Sequence, residues 1–443
     1  MRAAGRPCLP GGRASASRLS AAERMTARLP LARARRWVVS VLLVASGAVA
    51  PGPARLAAAA PPFPFTTTFW CGPPLAEFTD ARAAEIAAAG FTTVGPPCEG
   101  TDRDGNLRAL DVAARHGLLV WVKDPRLEPN ALDNPEWQSA LARAAADYRD
   151  HPALGGYFID DEPVTTDFAH LAPLVDALRA ADPAHLAYIN LLPDYASPTG
   201  PDAVAYDEYV ERFMSTVRPS LLSYDYYPFR KDNDRSTFFA NLRIIREAAL
   251  RHQRPFILIV LAMPHGPYRD PTEAELAWQA FHALAFGARG ISYFAYWTPS
   301  DDDKMNFRYG LVEAGRPTLH YFQVARLNQA VRAIGQQLAP LQSFAVADSA
   351  GEVGQPFPIG PIEAVDGGAI TVGLFVGESN ELAALLVNRD YRYGATATLR
   401  LRSGQHPPEA FDVATGRWQK ADASPAFRLA PGGAQLVRWR PAS

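Results

Sequence analysis

The sequence is poor in cysteine and lacks the short motifs that hold metals or nucleotides. Of 443 residues only 3 are cysteine and 9 are histidine, and these form no His-x-His, His-Glu-x-x-His or Cys-x-x-Cys pattern. A dedicated transition-metal site is therefore not expected. No Walker motif occurs and no Gly-x-Gly-x-x-Gly follows a strand-like run, so we expect neither a nucleotide nor any other cofactor.

Long apolar runs are also scarce in the chain. A helix that crosses a bilayer needs about 20 apolar residues. The segment 37–50, WVVSVLLVASGAVA, is fourteen residues long, follows a cluster of arginines and precedes small residues that end at Ala60. This pattern is typical of a secretory signal peptide. Residues 1–60 are therefore predicted to be a leader, and the protein to be secreted or periplasmic with no membrane attachment after cleavage. A retained membrane anchor is the alternative.

Positive charge is scarce once the leader is set aside. Residues 1–60 contain ten arginines and one acidic residue, Glu23. Without them, Lys and Arg fall from 44 to 34 and Asp and Glu from 46 to 45, which leaves a net charge of about −11. No basic stripe is present, so nucleic acid is not expected as a partner. A neutral or cationic substrate fits this charge better.

From residue 64 onwards, short β-like runs alternate with helical stretches. The helical stretches have capping residues and apolar residues at i, i+3, i+4 spacing. Eight such units within residues 61–340 predict an α/β fold, a (β/α)8 TIM barrel. An open doubly wound sheet is the alternative, and the absence of a glycine-rich phosphate loop favours closure. The eight β-like runs are 65–70, 91–94, 118–124, 154–162, 185–192, 220–229, 255–262 and 290–297.

The pattern changes after residue 340, where helical periodicity stops. Short β-like runs fill residues 341–443, and Gly-Glu-Ser-Asn, Thr-Gly and Pro-Gly-Gly turns separate them. This part of the chain is predicted to be a small all-β sandwich domain.

Three consecutive carboxylates, Asp160, Asp161 and Glu162, end the fourth predicted strand in GGYFIDDEPV, 155–164. In a (β/α)8 barrel the functional site lies at the C-terminal ends of the strands. Because side chains alternate along a strand, Asp160 is expected on the same side as Glu162, one layer below it. Such a neighbour raises the pKa of a carboxyl group, as a general acid near neutral pH requires. A solvated loop that caps the next helix is the alternative.

Aromatic and acidic side chains also occur at other strand ends. The sixth predicted strand ends in SYDYYPF, where Asp225 is the only acidic residue, and the eighth ends in YFAYWTP. Rings at the rim of a cleft with carboxylates on its floor suit sugars, although core packing is the alternative for each ring. The side chains predicted to contact substrate are Trp70, Asp161, Asn190, Tyr224, Tyr227, His265 and Trp297.

These motifs resemble those of the clan A-type barrel glycoside hydrolases. GYFIDDEP resembles their fourth-strand end, where a Glu preceded by a polar residue is the acid/base. SYDYYPF resembles their sixth-strand YYP segment, as in endo-galactanases, and GISYFAYW their eighth strand. FDVATGRW and LAPGGAQLVRW resemble the C-terminal β domain of many such enzymes. The resemblance implies a secreted glycosidase acting on an oligo- or polysaccharide, with Glu162 as general acid/base.

The seventh predicted strand departs from this family. ILIVLAMPHG has Met263, Pro264 and His265 where clan A enzymes carry their nucleophilic Glu. The spacing Asp160-x-Glu162, with YDY at 224–226, also resembles chitinase-type glycoside hydrolases, in which a substrate amide is the nucleophile and a fourth-strand Asp assists. The longer acidic signature of that family is absent. A third possibility uses Asp225 as base or nucleophile. The candidate catalytic residues are Glu162, Asp160 and Asp225.

Two further functions stay open at this stage. One is a glycan-binding barrel without catalytic activity, which the missing seventh-strand Glu favours. The other is a different barrel hydrolase, for example a metal-dependent one, against which the histidine pattern argues. The sequence does not indicate the sugar, the linkage, the stereochemical course or the oligomeric state.

Cys71 and Cys98 are predicted to form a disulfide. They lie 27 positions apart, just past the first and the second predicted strand. Consecutive barrel strands are about 4.8 Å apart, so the Cα separation of about 4.4–6.8 Å that a disulfide needs is easily met. Export to an oxidising compartment would preserve the bond. Two unpaired buried cysteines are the alternative.

Overall fold

The computed structural model describes residues 63–98, 100–196, 204–300, 304–422 and 424–440. The predicted signal peptide, residues 1–60, lies outside them. Within these five segments, no helix combines the length and apolar character that crossing a membrane requires.

Eight parallel strands and eight helices make up the first part of the described chain. The strands are β1 Thr66–Phe69, β2 Thr93–Val94, β3 Leu119–Lys123, β4 Leu154–Asp161, β5 Leu186–Leu191, β6 Leu222–Tyr226, β7 Phe256–Leu261 and β8 Gly290–Phe294. The helices are α1 Asp80–Ala88, α2 Arg103–Arg115, α3 Trp137–Tyr148, α4 Phe168–Ala181, α5 Tyr206–Thr216, α6 Phe238–Arg251, α7 Glu273–Ala285 and α8 Leu319–Leu338. A two-stranded hairpin, β9 Val312–Glu313 and β10 Arg316–Pro317, precedes α8.

The eight strands form one parallel sheet in the order β1-β8-β7-β6-β5-β4-β3-β2. The two end strands meet, because the Thr92 N–H donates to the Thr67 carbonyl at 2.9 Å and Gly72 forms a parallel bridge with Pro97. This near-closed ring confirms the predicted (β/α)8 barrel, and an open doubly wound sheet is excluded.

Two apolar layers explain why these runs form strands buried on both faces. Tyr157 and Ile159 of β4 point outward into the layer between strands and helices. Phe158, between them, belongs to a separate cluster with Trp121 and Tyr188, which fills the barrel interior. Helix α7 begins with a capping box: the Thr272 hydroxyl accepts from the Glu275 N–H, and the Glu275 carboxylate accepts from the Thr272 N–H.

The disulfide between Cys71 and Cys98 is confirmed, with a Cα–Cα distance of 4.7 Å. It lies at the C-terminal rim, on the seam between β1 and β2, next to the Gly72–Pro97 bridge. Since β2 is only two residues long, few ladder hydrogen bonds hold this seam. The disulfide therefore joins the ring where its backbone pairing is weakest.

The double variant Cys71→Ser/Cys98→Ser is expected to lower the free energy of unfolding by about 3 kcal/mol, the chain-entropy value for a loop of this length. The comparison is a denaturant titration of both proteins under oxidising conditions. Adding a reductant should destabilise only the wild type. Equal midpoints for the wild type and the variant would contradict a stabilising bond.

The second part of the chain is a sandwich of two antiparallel sheets. Its strands are β11 Gln342–Asp348, β12 Ile362–Asp366, β13 Ile370–Val376, β14 Leu382–Asn388, β15 Ala395–Leu401, β16 Glu409–Asp412, β17 Arg417–Lys420, β18 Ala426–Leu429 and β19 Ala434–Trp439. The larger sheet has the order β11-β13-β14-β19-β16-β17 and the smaller β12-β15-β18. An apolar core between them includes Val372, Leu386 and Leu399. The predicted β domain is therefore present.

The outer face of the larger sheet packs against the barrel. Phe375, Leu385 and Val387 belong to the same apolar cluster as the barrel helices. Gly373 of β13 approaches α7 so closely that a Cβ there would lie 2.1 Å from the Ala285 carbonyl oxygen. The predicted boundary between residues 340 and 341 falls between α8 and β11.

Candidate active site

Glu162 is the first residue after β4, at the C-terminal mouth of the barrel. Its backbone has a φ of 55°, a left-handed conformation that is uncommon outside glycine and that clusters at functional sites. Its N–H donates to the Asn190 carbonyl on β5 at 2.8 Å. Beyond it, the Tyr209 hydroxyl donates to the Pro163 carbonyl at 2.7 Å. These two hydrogen bonds hold the peptide on either side of Glu162.

A register shift in β4 changes which carboxylate faces the barrel interior. The pairing with β5 moves from Phe158↔Tyr188 to Asp160↔Ile189, which marks a bulge at Ile159. Asp161, rather than Asp160, is then opposite Asn190. The expectation that Asp160 lies one layer beneath Glu162 is therefore wrong, because the extra residue of a bulge reverses the alternation beyond it.

A chain of hydrogen bonds leads from the barrel interior to two carboxylates. The Tyr188 hydroxyl is 2.9 Å from the Ser223 hydroxyl, which donates to the Asn190 side-chain oxygen at 3.1 Å. The Asn190 amide nitrogen donates to Asp161 and to Asp225, at 3.2 Å in both cases. Because Asn190 is only 2 % exposed, its two amide hydrogens fix these carboxylates relative to each other.

Glu162 and Asp225 are neighbouring carboxyls, within reach of a hydrogen bond that shifts the pKa of both. Asp225 is 4 % exposed. Burial, the charges of Glu162 and Asp161, and the hydrogen bond to Glu162 together raise the pKa of Asp225 well above its ordinary value. Burial also raises the pKa of Glu162. Two carboxyls in contact do not both ionise readily, so a proton held by the pair is expected on the more deeply buried Asp225, which then donates to Glu162.

The other two carboxyls at this strand end also have raised pKa values. Burial, reinforced by the charge of Glu162, raises the pKa of Asp161 to about 7. The side chain is open to water on one side, while the protein atoms of the cleft surround its other sides. Burial raises the pKa of Asp160 to about 6, with a smaller contribution from the charges of Asp167 and Glu128. Asp160 thus faces a different set of neighbours from Asp161.

The raised pKa of Asp161 predicts how stability depends on pH. A carboxyl in an unfolded chain ionises near about 4, so between pH 4 and 7 the folded state holds a proton that the unfolded state lacks. The stability that protonated Asp161 contributes is present below about pH 4 and is lost as pH rises through about 7. Asp161→Asn does not ionise and still accepts from Asn190. It is expected to stabilise the protein at pH 8, by about 1 kcal/mol after allowing for solvent exposure.

Thermal denaturation of the wild type and Asp161→Asn at pH 4 and pH 8 measures this effect. The gain should vanish at pH 4. The exposed Asp150→Asn is the matched control, with no expected change at either pH. A gain of the same size at both pH values would show that the charge of Asp161 is not its cause.

Three of the aromatic side chains predicted to contact substrate, Trp70, Tyr227 and His265, follow the C-terminal ends of β1, β6 and β7. Trp70, half-buried just past β1, contacts Phe158 and Tyr188 with ring centroids 5.4 and 6.2 Å apart. Tyr227 and His265 have ring centroids 5.4 Å apart. Burial lowers the pKa of His265 to about 4, so its ring is neutral at neutral pH.

Tyr224 and Trp297 lie elsewhere. Tyr224 is fully buried in the layer between the strands and the helices, because it alternates with Ser223 and Asp225, which point inward. The Trp297 ring packs against the outer apolar layer, with the Arg82 guanidinium carbon 5.3 Å from the ring centroid. On β8 it is Phe294 that faces this region, with its centroid 4.9 Å from that of His265. The expected cleft positions of Tyr224 and Trp297 are therefore wrong.

The end of β7 presents no carboxylate. Met263 is fully buried beside Cys71 and Ala295, at the place where the resemblance implies a nucleophilic Glu. Within the described segments, no group of three or more His, Cys, Asp or Glu side chains is arranged to hold a metal ion.

A cavity of about 580 Å³ extends from the strand ends between the loops that follow β3 and β4. Trp70, Phe158, Asp160 and Asp161 line it, together with Lys123 at the end of β3. The Lys123 ammonium lies 5.4 Å from the Phe158 ring centroid. Its positive charge partly opposes the rise in the pKa of Asp161. This volume is within the range of small-molecule sites.

Several side chains of this site were not identified from the sequence as contributors. Ser223 could have been found, because it shares a strand face with Asp225. Lys123 could have been found as a polar residue at a strand end. Tyr195, whose hydroxyl accepts from the Tyr227 N–H at 3.0 Å, lies in a three-residue 3-10 helix, Asp194–Ala196, that follows β5. No periodicity marks it.

No protein-family model matches the chain, and no curated protein matches its sequence. Among solved structures, a catalytic mutant of a GH42 β-galactosidase from G. stearothermophilus is 10 % identical with a TM-score of 0.58, over 85 % of this chain and 98 % of that one. A family 5 glycoside hydrolase from Bacteroides vulgatus is 13 % identical with a TM-score of 0.54, over 85 % and 89 %.

A β-galactosidase from the psychrophilic Marinomonas ef1 has a TM-score of 0.49 and 11 % identity, over 64 % of this chain, which spans 62 % of its length. At these identities the likeness of the GH42 and family 5 structures concerns the fold. The protein has the (β/α)8-barrel fold found in clan A glycoside hydrolases, followed by a β domain.

Proposed function

We propose that the protein is a glycoside hydrolase that cleaves O-glycosidic bonds of an oligo- or polysaccharide, with Glu162 as general acid/base. The observation that carries this proposal is the hydrogen-bonded pair of Glu162 and Asp225 at the barrel mouth, with Asp161 beside it. Solved proteins with the same fold include β-galactosidases, which supports a carbohydrate substrate.

In this proposal Glu162 delivers the proton that the carboxyl pair retains at neutral pH. Glu162 is exposed to solvent at the barrel mouth, whereas Asp225 is only 4 % exposed. The single proton of the pair passes from Asp225 to Glu162 and from Glu162 to the glycosidic oxygen, which leaves the negative charge on the pair. The Asn190 amide stabilises the charge that develops on Asp225. A raised pKa is what a general acid near neutral pH requires.

The partner that attacks the anomeric carbon is the open part of the mechanism. Retaining and inverting glycosidases separate their two carboxyls by about 5–5.5 Å and 6.5–9.5 Å respectively. Glu162 and Asp225 are in hydrogen-bond contact, which leaves no room for a sugar ring between them. We therefore assign Asp225 the role of proton partner. The attacking group is then a water activated by Asp161 or an amide of the substrate, with Asp160 in the assisting role of the chitinase-type alternative.

Export of the protein is part of the proposal. A disulfide at the barrel rim is compatible with an oxidising compartment, and the net negative charge outside the leader suits a neutral or cationic glycan. We propose a secreted or periplasmic location. The partner is a glycan rather than a nucleic acid.

A panel of aryl glycosides and polysaccharides, followed by product analysis, tests the activity. Asp225→Asn tests the role of Asp225 as proton partner. An Asn at this position still accepts a hydrogen bond from Asn190 and donates one to Glu162, but it does not exchange a proton. We expect Asp225→Asn to lose as much activity as Glu162→Gln. A mild loss would indicate that Glu162 transfers the proton without Asp225 and that an amide of the substrate is the attacking group. In that case only sugars with a 2-acetamido group should be cleaved.

A glycan-binding barrel without turnover is the second candidate. The observation in its favour is the buried Met263 at the end of β7, where a catalytic carboxylate is absent. Binding of a polysaccharide with no product from any member of the panel would support this candidate. Turnover that Glu162→Gln abolishes would exclude it.

A further inference from the structure

A second cavity, of about 800 Å³, lies at the opposite end of the barrel from the carboxylates. The first residues of several strands line it, among them Thr66, Leu154 and Phe256. Gln342 and Ser343, where the chain passes from α8 into the β domain, line its other side. The cavity therefore lies between the N-terminal face of the barrel and the start of the second domain.

The titratable side chains that line this cavity are all basic. They are Arg246, Arg254, Arg289 and His185, and no Asp or Glu lines it. Among the residues that the structure describes, none of the three arginines forms an ion pair. Many other arginines of the barrel do form ion pairs. A cationic cavity of this kind is unusual in a chain that is negative overall.

Two of these arginines, Arg246 and Arg289, are half-buried, and they differ in their hydrogen-bond partners. Arg289 donates to the carbonyls of Leu338 and Ala339 at 2.6 and 2.8 Å, and to that of Leu341. Arg246 donates through Nε to the Ser343 hydroxyl at 3.2 Å, but its buried Nη2 has no hydrogen-bond partner. Arg246 is therefore a cation that lines the cavity and has no charged partner among the described residues.

The surroundings of Arg246 provide no compensating charge. Glu247, next to it on α6, is exposed and bonds to Arg243 at 3.2 Å. Burial accordingly lowers the pKa of Arg246, with only a small opposing contribution from Glu247. Proteins pair buried charges because an unpaired one is strongly unfavourable. An anion bound in the cavity would supply the charge partner that Arg246 lacks.

The shape and lining of the cavity indicate what kind of anion fits. A guanidinium group binds carboxylate and phosphate groups through a planar fork of donors. Apolar side chains, including Trp121, Leu186 and Phe286, line other parts of the wall, so the cavity also accommodates an organic body. Its volume is that of sites for small molecules.

We propose that the cavity at the N-terminal end of the barrel is a binding site for a small organic oxyanion, whose carboxylate or phosphate pairs with Arg246. The site is about a barrel's length from Glu162 and does not depend on the proposed glycosidase activity. It gives the protein a second ligand, opposite in charge to anything the acidic cleft would select.

Thermal-shift titrations of the purified protein at constant ionic strength test this site. The probes are inorganic phosphate, phenyl phosphate and benzoate, with benzyl alcohol as the neutral counterpart of benzoate. We expect saturable stabilisation by at least one of the anions and none by benzyl alcohol. Stabilisation by benzoate alone identifies a carboxylate ligand, and stabilisation by the phosphates alone identifies a phosphate ligand.

Variants locate the binding. Arg246→Gln is expected to lower the affinity for the anion at least tenfold. Arg243→Gln, which changes an exposed residue one turn earlier on α6, should bind the anion as the wild type does. Glu162→Gln should also bind normally. If Arg246→Gln does not fold, Arg246→Lys, which keeps the charge but loses the fork, should weaken binding to a smaller extent. The absence of saturable stabilisation by all three anions in the wild type, or unchanged affinity in the Arg246 variants, would overturn the proposal.

Discussion

Glu162→Gln is expected to lower kcat by about 10²–10⁴, the contribution of general acid–base catalysis by a single side chain. The amide has the shape of the carboxyl, and its oxygen still accepts from the protonated Asp225. It has no proton to deliver to a leaving oxygen near neutral pH. The backbone of Glu162, held by the hydrogen bond to the Asn190 carbonyl, is unaffected by the change.

Steady-state kinetics on the best substrate of the glycoside panel measures this effect. An aryl glycoside with a very good leaving group, which needs little protonation, should be less affected than an alkyl glycoside. Circular dichroism and the melting temperature should match those of the wild type. The surface variant Asp150→Asn should keep full activity. Activity within a few-fold of the wild type for Glu162→Gln would remove Glu162 from the mechanism.

A chain that ends near residue 340 is expected to lose most of its stability while its carboxylates remain in place. The outer face of the larger β sheet covers α7, where Phe375, Leu385 and Val387 share one apolar cluster with the barrel. Each large apolar side chain that loses its burial costs about 1.5–3 kcal/mol. A few of these losses are comparable with the total stability of about 5–15 kcal/mol of a typical domain.

The interface also contains polar links that truncation would break. The Trp278 indole N–H donates to the Arg389 carbonyl at 2.8 Å, and the Tyr391 hydroxyl bonds to Asp234. The measurement is denaturant unfolding of the truncated and full chains. Tyr393→Ala, which changes a side chain that is 72 % exposed, is the control and should have little effect. A truncated protein that is as stable as the full chain but inactive would assign the β domain a part in the site.

Periodicity and composition predicted the barrel, the β domain and the disulfide correctly, because each depends on patterns that extend over many residues. Eight apolar runs that alternate with eight helical stretches are compatible with few folds if all the strands are parallel. The Cys71–Cys98 bond followed from the position of both residues shortly beyond the ends of neighbouring strands. These inferences tolerate an error of one residue at the end of a strand.

The site was less predictable, because a shift of one residue decides which side chain faces inward. The bulge at Ile159 changes which of Asp160 and Asp161 lies opposite Asn190, and no residue in FIDDE marks it. Tyr224 was assigned to the cleft, although alternation from Asp225 directs it into the outer layer. Trp297 lies three residues past the end of β8, where the chain has left the strand and alternation no longer applies.

The seam disulfide has a consequence for limited proteolysis. Cys71 and Cys98 enclose the segment that contains α1 and β2, so a cut anywhere between them leaves two fragments joined covalently. A protease acting at Arg82 would produce a nicked chain that migrates as one species without reductant and as two species with it. The nicked barrel would also keep both sides of its seam in register. Damage to this part of the rim is therefore expected to remain local for as long as the bond is oxidised.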